Sequence, residues 1–569
     1  MLRFLCFHLG ALLGALLLGA LLVSAAQGQT PVQLLPGVTW EHEVELTPHG
    51  PVAFTVITAP PPTGLYTLGP VLAQSTITGG RATVTQIEQS IAASASVVGI
   101  NGDFTSGSDS HPSGIVISGG QMSHGPTPAR SSIGFDTNGG IHLGRLSFTG
   151  TVKGTGQRRP LAGVNQQPRA NQIVLFTPAW GASTPALANA AVAVLEPFPA
   201  ATINSDLTAV VTATPDGSTP IPADGAVLVA TGSAAASLQA EAPVGTSVTV
   251  RLILPPSWGT VVSALGGGPL LVRGGKAIFT TSESFASTDL TGRDARAAVG
   301  QLKSGRVLLV AVDGGRPGYS VGMTTYELAQ TMVRLGAVNA AAVAFGVGVT
   351  AAANGRLVSR PSSPLGARPV KEALLLQYAG VVAQPPSVPA IGKGNAAAGE
   401  QLSYSIVRPS TVTATVIGPD GVSRVLDTGA RDPGTYRFSW TAFDAEGTWH
   451  WNVQATDDEN RQSTADQTFV YDLTLTGLTV PASVAARTGL TARFTLSRPA
   501  DVTLQIETPQ GTVVTTEPAV ALQAGAGSVT WDGTTSSGAS APSGAYVARV
   551  TDTSTIATVA QTARFTLHR

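Results

Sequence analysis

Residues Val307 to Asp313 read VLLVAVD, and Thr325 to Leu335 read TYELAQTMVRL. The first is a continuous apolar run closed by an acid, the pattern of a buried strand that delivers a carboxylate to a sheet edge. In the second, Leu328, Met332 and Leu335 recur at helical spacing with polar residues between them. Thr324 or Thr325 is placed to cap this helix and Gly336 to end it. The residues between the two segments, GGRPGYSVGMT, form a Gly-rich loop. Strand, loop and helix in succession predict an α+β domain.

Working outward, this pattern belongs to a module running from about Thr39 to Gly380, assigned to residues 39–380. Between Ala179 and Ser257 the composition shifts to Ala, Val and Thr runs broken by Pro and Gly, which reads as a β-rich insertion over about 179–257. After Gly380 comes VVAQPPSVPAIGKGNAAAG, whose Pro/Gly/Ala content marks a connector, assigned to 381–394. Two segments then repeat one another: DPGTYRFSWTAFDAEGTWHWNVQATD from Asp432 to Asp457, and GAGSVTWDGTTSSGASAPSGAYVARVTD from Gly525 to Asp552. Each offers a strand ending in Trp (Trp440, Trp531), a polar Gly-containing turn, and an aromatic-led alternating strand. The repeat predicts two tandem all-β immunoglobulin-like sandwiches, over 395–472 and 473–569.

The bulk composition agrees with this division. A chain of 569 residues exceeds one ordinary domain, and 43% hydrophobic residues suffice for real cores. Only 12% of residues are charged, and the excess of small and β-branched residues suits strands and tight turns. A net charge of −1 without any Lys/Arg block argues against nucleic acid as a partner. At the N-terminus, Arg3 precedes an apolar run from Leu9 to Val23 and the small residues Ser24, Ala25 and Ala26. This is the layout of a secretory signal peptide, assigned to 1–28, with a retained membrane anchor as the alternative. No other stretch approaches membrane-spanning length, so no span is expected after signal removal. Cys6, the only cysteine, lies inside the signal, leaving the mature chain without a disulfide. An extracytoplasmic protein stabilised by packing alone fits a bacterium, either secreted or at the cell surface.

Two clusters carry candidate chemistry. Val98 to Phe104 read VGINGDF, a strand ending in a turn that offers an amide and a carboxylate to a cleft, or else an ordinary Asn-Gly turn. ALGGGPLLVRGGKAIF, from Ala264 to Phe279, is followed by Arg293 and Arg296. The glycines either expose backbone N–H groups to an anion or allow close packing. The arginines either grip that anion or face solvent. His111 and His124 sit in turn-like sequence and are expected at the surface, with no zinc-binding spacing.

Taken in order, VGINGDF, ALGGGPLL, RDARAAVG, VLLVAVDG, SVGMTTYELAQTMVRLGAVNA and GRLVSRPSSPLGARPV resemble the phosphodiester glycosidase family. The resemblance covers most of residues 39–380. WDG followed by GAY, in the second tail repeat, resembles the immunoglobulin-like domain of flagellar hook-capping proteins. The first resemblance implies cleavage of a sugar phosphodiester in a cell-wall or exopolysaccharide glycan, with no cofactor, although carboxylates beside a phosphodiester leave room for a divalent cation. It implies catalytic roles for Asp103 and Asp313, and substrate binding by Asn101, Arg296 and Arg368.

One family segment departs from the pattern. Where members carry Asp-Gly-Gly-Gly-Ser, this chain has Ala344-Phe345-Gly346-Val347-Gly348, and the threonine after the arginine is Ala297. Alanine transfers no proton, and bulkier residues close a loop built for ligand approach. Two readings follow: a hydrolase using Asp103 or Asp313, or a degenerate relative that binds glycan or serves a structural role at the cell surface.

Overall fold

The structure is a computed structural model that describes residues 31–106, 111–394, 396–485 and 488–568. The proposed signal segment and Cys6 lie outside the described residues. The chain is mostly β, with 51% of residues in strands and 7% in helix. The α+β expectation therefore overstated the helical share. Runs such as AVNAAAVAF, over Ala337–Phe345, are strand despite their helix-tolerant alanines, because they lie centrally in a sheet. The chain divides into two compact units: one extends to Leu376, and the other begins at Gln377 and includes residues 64–66 and 91–96.

In the first unit, the Val307–Val312 strand is buried at every position and pairs with Gly50–Ala59 on one side and Arg296–Leu302 on the other. The sheet has eight strands, in the order Val32–Leu35, Val38–Thr47, Gly50–Ala59, Val307–Val312, Arg296–Leu302, Ala337–Phe345, Leu270–Arg273, Lys276–Ala277. Neighbouring strands run antiparallel throughout. The expected helix spans Thr325–Arg334. Thr324 caps it: its Oγ1 accepts from Glu327 N at 3.2 Å, and Glu327 Oε2 accepts from Thr324 N at 2.8 Å. Leu328, Ala329 and Met332 pack onto Phe54, Val56, Leu308, Val310 and Val312 from the sheet. This apolar stripe, worth roughly 1.5–3 kcal/mol per large side chain, fixes the helix to one face and leaves Asp313 at the strand's end.

A second sheet in this unit carries the Asn-Gly-Asp turn. Ser96–Asn101 pairs with Ala351–Ala353, Ala351 lying opposite Ile100. Further strands from Thr149–Lys153 to Ser247–Ile253 form an eight-stranded sheet with its own core around Leu175, Leu228, Val250 and Leu252. This run, from Thr149 to Ile253, overlaps the segment of about 179–257 read as an insertion.

The second unit holds two strand sets, each with its own core. In the first, Glu400–Ile406 and Gly434–Trp440 face a five-stranded sheet around Trp449, Trp451 and Phe469. In the second, Leu490–Leu496 and Gly525–Trp531 join Leu475–Thr479, and Trp531 is buried with Phe494, Tyr546 and Phe565. The sequence repeat is structural: Trp440 lies opposite Glu400, and Trp531 opposite Leu490, at matching places in the two sets. The Asp532-Gly533 turn does not close a hairpin. Gly525–Trp531 and Gly544–Thr553 lie in different sheets, so the chain crosses between layers there. Among the described residues, no helix is long and apolar enough to cross a membrane.

Candidate functional site

Asn101 ends its strand almost fully buried, and its amide clamps the loop that departs from the family pattern. Its Oδ1 accepts from Thr350 N at 2.6 Å, and its Nδ2 donates to Gly348 O at 2.9 Å. The same loop is held by Gly346 N donating to Ala295 O at 2.8 Å and Ser363 N donating to Val347 O at 3.2 Å. Gly348 lies against the stem of Arg368, where an added Cβ would stand 3.3 Å from the arginine's own Cβ. Asn101, the 346–350 loop and Arg368 are thus brought together.

Asp313 projects from the end of the central strand. Its N–H donates to Ala53 O at 2.9 Å, and its carbonyl accepts from Ser320 Oγ at 2.6 Å. Its carboxyl Oδ2 accepts from the Tyr319 hydroxyl at 2.9 Å, while Oδ1 is buried without a partner. Burial pushes the Asp313 pKa up to about 6, against the opposing pull of the Tyr319 hydrogen bond and of Arg316 and Arg360. Burial also raises Tyr319 to about 12, so its phenol keeps the proton it donates. The Arg360 guanidinium stacks 4.6 Å from the Tyr319 ring centroid. Arg316 reaches the carbonyls of Ser362 and Ser363 at 3.3 and 3.4 Å, and Ser362 Oγ accepts from Gly314 N at 2.8 Å. An acid poised near neutral pH, a phenol and two guanidinium groups therefore share one locality. Such a set can hold an anion and give or take a proton beside it.

Asp103 and Arg296 are differently placed. Both Asp103 carboxylate oxygens accept from Arg130 Nη2 at 3.0 Å, with the side chain wholly buried. Gly266, first of the three glycines, gives this carboxylate its room, since a Cβ there would overlap Asp103 Oδ2. The other two glycines have spent their N–H groups on backbone, Gly267 on Ser131 O at 3.0 Å and Gly268 on Ala342 O at 2.8 Å. The glycines thus serve close packing rather than an anion cradle. Arg296 is 1% exposed and donates to the carbonyls of Met323, Asp289 and Gly292 at 2.5, 2.7 and 2.7 Å. Burial lowers its pKa to about 10. Arg293 is engaged by Glu327 and by Gly322 O.

An aromatic cluster covers both buried arginines. Phe345 lies 4.6 Å from the Arg296 guanidinium, and Phe104 and Phe285 lie 5.0 and 5.6 Å from that of Arg130. The three rings meet at centroid distances of 4.9 to 5.6 Å. Ala344 pairs with Ala297 across the sheet, two methyl groups where the resemblance calls for an acid and a threonine. His124 is also corrected: it is buried, its Nδ1 lies 2.7 Å from Gly114 O, and His111 packs edge-on to Trp180.

Sequence reasoning missed Tyr319, Arg316, Arg360 and Glu372. Tyr319 and Arg316 lay in the Gly/Pro loop, whose geometry hides the direction of its side chains. Arg360 stood in the quoted SRPSS segment, read only as a flank. Glu372 is fully buried, accepts from Asp103 N at 3.0 Å through Oε1 and leaves Oε2 unpartnered. Burial and the neighbouring Asp103 raise its pKa to about 8. Among the described residues, no group of three or more His, Cys, Asp or Glu side chains is placed to hold a metal ion.

Comparison with known proteins places this geometry. Residues 199–377 match the family model described as phosphodiester glycosidase, and residues 482–555 match the FlgD Ig-like domain. The first span takes in Arg296, Asp313, Arg368 and the 344–350 loop; Asn101 and Asp103 precede it. No sequence among curated proteins matches the chain. A crystal structure of a hypothetical protein from Synechocystis is 28% identical with a TM-score of 0.51, the match covering 61% of this chain and 63% of that one. This chain thus spans under two thirds of that protein's length. A Burkholderia pseudomallei structure is 21% identical, covering 57% and 74% at a TM-score of 0.47. The zebrafish N-acetylglucosamine-1-phosphodiester alpha-N-acetylglucosaminidase catalytic domain is 13% identical, covering 62% and 87% at a TM-score of 0.33. The chain is therefore similar to phosphodiester glycosidases over residues 199–377 and to the FlgD Ig-like domain over residues 482–555.

Proposed function

We propose that this is an extracytoplasmic bacterial protein that binds sugar phosphodiesters of a cell-wall or exopolysaccharide glycan and has lost efficient hydrolysis. The observation that carries the reading is Phe345 packed on the Arg296 guanidinium beside Ala344. Glycosidases ordinarily cleave with two carboxylates flanking the bond. Here Asp103 is held by Arg130, and Asp313 is the carboxylate that keeps an unpartnered oxygen near arginines. Arg360 and Arg316 hold the phosphodiester anion, and Asp313 lies beside it. The signal-like N-terminus supports export, and two immunoglobulin-like sandwiches over 395–472 and 473–569 act as surface spacers or adhesive modules. A second reading, slow hydrolysis with Asp313 as general acid, is favoured by its pKa near 6.

The test is titration and hydrolysis of an N-acetylglucosamine phosphodiester by the natural chain, by Arg360→Gln, and by Ala344→Asp combined with Phe345→Gly. Saturable binding without turnover, weakened about tenfold by Arg360→Gln (about 1.4 kcal/mol), is expected. Turnover by the natural chain that disappears in Asp313→Asn would replace the binding reading by the hydrolytic one. Absence of both binding and turnover overturns both.

A further inference from the structure

The first unit contains a concavity of about 440 Å³ whose lining does not include Asp313, within the size range of ligand sites. His111, His124, Gly125, Gln166, Gln172 and Arg169 are among its lining residues. Its wall is built with space to spare. Gly125 is buried, yet a Cβ added there would meet no atom within 4 Å, so the residue leaves an opening rather than filling one. Its backbone is not in the left-handed region, so packing and not backbone strain is what a side chain would change. Gln166 is positioned by the opposite device: a Cβ on Gly163 would overlap its amide, so that glycine lets the amide lie against the chain. Gln172 Oε1 accepts from Arg169 N at 2.9 Å, which fixes the orientation of the second amide.

The lining chemistry selects a ligand class. Among the described residues its lining contains no carboxylate, and Arg169, the one permanent cation among them, is exposed. Burial pushes His124 below its ordinary pKa, which favours the neutral ring, and the Gly114 carbonyl accepts a hydrogen bond from its Nδ1 at 2.7 Å. What remains is amide, hydroxyl and imidazole, groups that both donate and accept, beside the apolar face of Phe148. Sugar hydroxyls and acetamido groups require that mixture, and a phosphate does not. We propose that this cavity is a saccharide subsite that takes neutral sugar units. The assignment of these units to the glycan held at Asp313 rests on the function proposed above.

The site is connected to the Asn-Gly-Asp turn. Thr127 Oγ1 donates to Ser113 O, both residues lining the cavity, and Ser113 N donates to Phe104 O at 2.9 Å. A reporter is also built in, since the His111 ring lies edge-on to buried Trp180 at 5.0 Å.

The experiment titrates the full chain with tri-N-acetylchitotriose, following tryptophan fluorescence and heat. Saturable binding with a fluorescence change is expected, lost at least tenfold in Gly125→Leu and weakened several-fold in Gln172→Ala. Asp313→Asn should bind the trisaccharide as the natural chain does. Binding unchanged in both cavity variants, loss of binding in Asp313→Asn, or no binding by the natural chain would each overturn the proposal. Gln172→Ala keeps the test decisive should Gly125→Leu fail to fold. Trisaccharide binding beside a failed phosphodiester titration would sink the proposed function and leave the subsite standing.

Discussion

The Phe345 ring lies 4.6 Å from the Arg296 guanidinium, closing from solvent an arginine whose Nε and Nη2 bind three backbone carbonyls and whose buried Nη1 has no hydrogen-bond partner. Phe345 is itself only half-buried, so Phe345→Ala should cost about 2 kcal/mol, below the 3–5 kcal/mol of a fully buried phenylalanine. Urea unfolding of the two chains checks this. A change near zero would show that the ring adds nothing to the packing over Arg296.

Asp313 makes stability depend on pH. Its folded pKa, about 6, exceeds the ordinary value of 3.8, so the folded chain binds the proton more tightly than the unfolded one. The resulting stabilisation is complete below pH 4 and is lost as pH rises through 6. In the difference between natural chain and Asp313→Asn, the variant should gain relative stability across that window. Full expression of the shift corresponds to roughly 3 kcal/mol, measured by denaturant unfolding at several pH values. A difference that stays flat from pH 4 to 7 would contradict the assignment.

The Asp103–Arg130 pair predicts asymmetric damage. Arg130→Met leaves a buried carboxylate alone and should destabilise the first unit by about 3–5 kcal/mol. Adding Asp103→Asn should restore part of that loss, because the uncompensated charge disappears. A double variant as unstable as the single one would show that the cost lies in packing against Phe104 and Phe285.

Gly489 is the backbone counterpart of Gly399 in the tail repeat, with φ values of +63° and +70°. A Cβ at Gly489 would overlap the Trp531 carbonyl. Gly489→Ala should therefore cost about 1–3 kcal/mol. Amide exchange is expected to speed up in the strands around Trp531, with those around Trp449 unaffected. Equal acceleration in both sets would show that they unfold as one.

The parts of this architecture legible in the sequence were those encoded locally. VLLVAVD, the Thr324–Glu327 cap and the Leu328/Met332 spacing state their own geometry, and the Trp440/Trp531 repeat announces equivalent strands. The α+β reading went too far because alanine-rich runs carry no period, and only sheet position decides them. The Asp532-Gly533 turn shows the limit of a local signal, because a turn dipeptide says that the chain bends and not which sheet it enters. At the site, Asp313 was visible as the acid closing an apolar run. Its partners were not, since Arg360 reaches Tyr319 only after the chain has returned through a helix and three strands.

The sheet order has a consequence for synthesis. Beyond its hairpin partner Val38–Thr47, Gly50–Ala59 finds its other neighbour in Val307–Val312, and that strand's next partner pairs in turn with Ala337–Phe345. A ribosome must therefore deliver most of the first unit before its earliest hairpin has anything to dock on, and such long-range closure is slow. The hairpin waits for its sheet neighbour through that interval and demands protection from aggregation until Phe345 has been made.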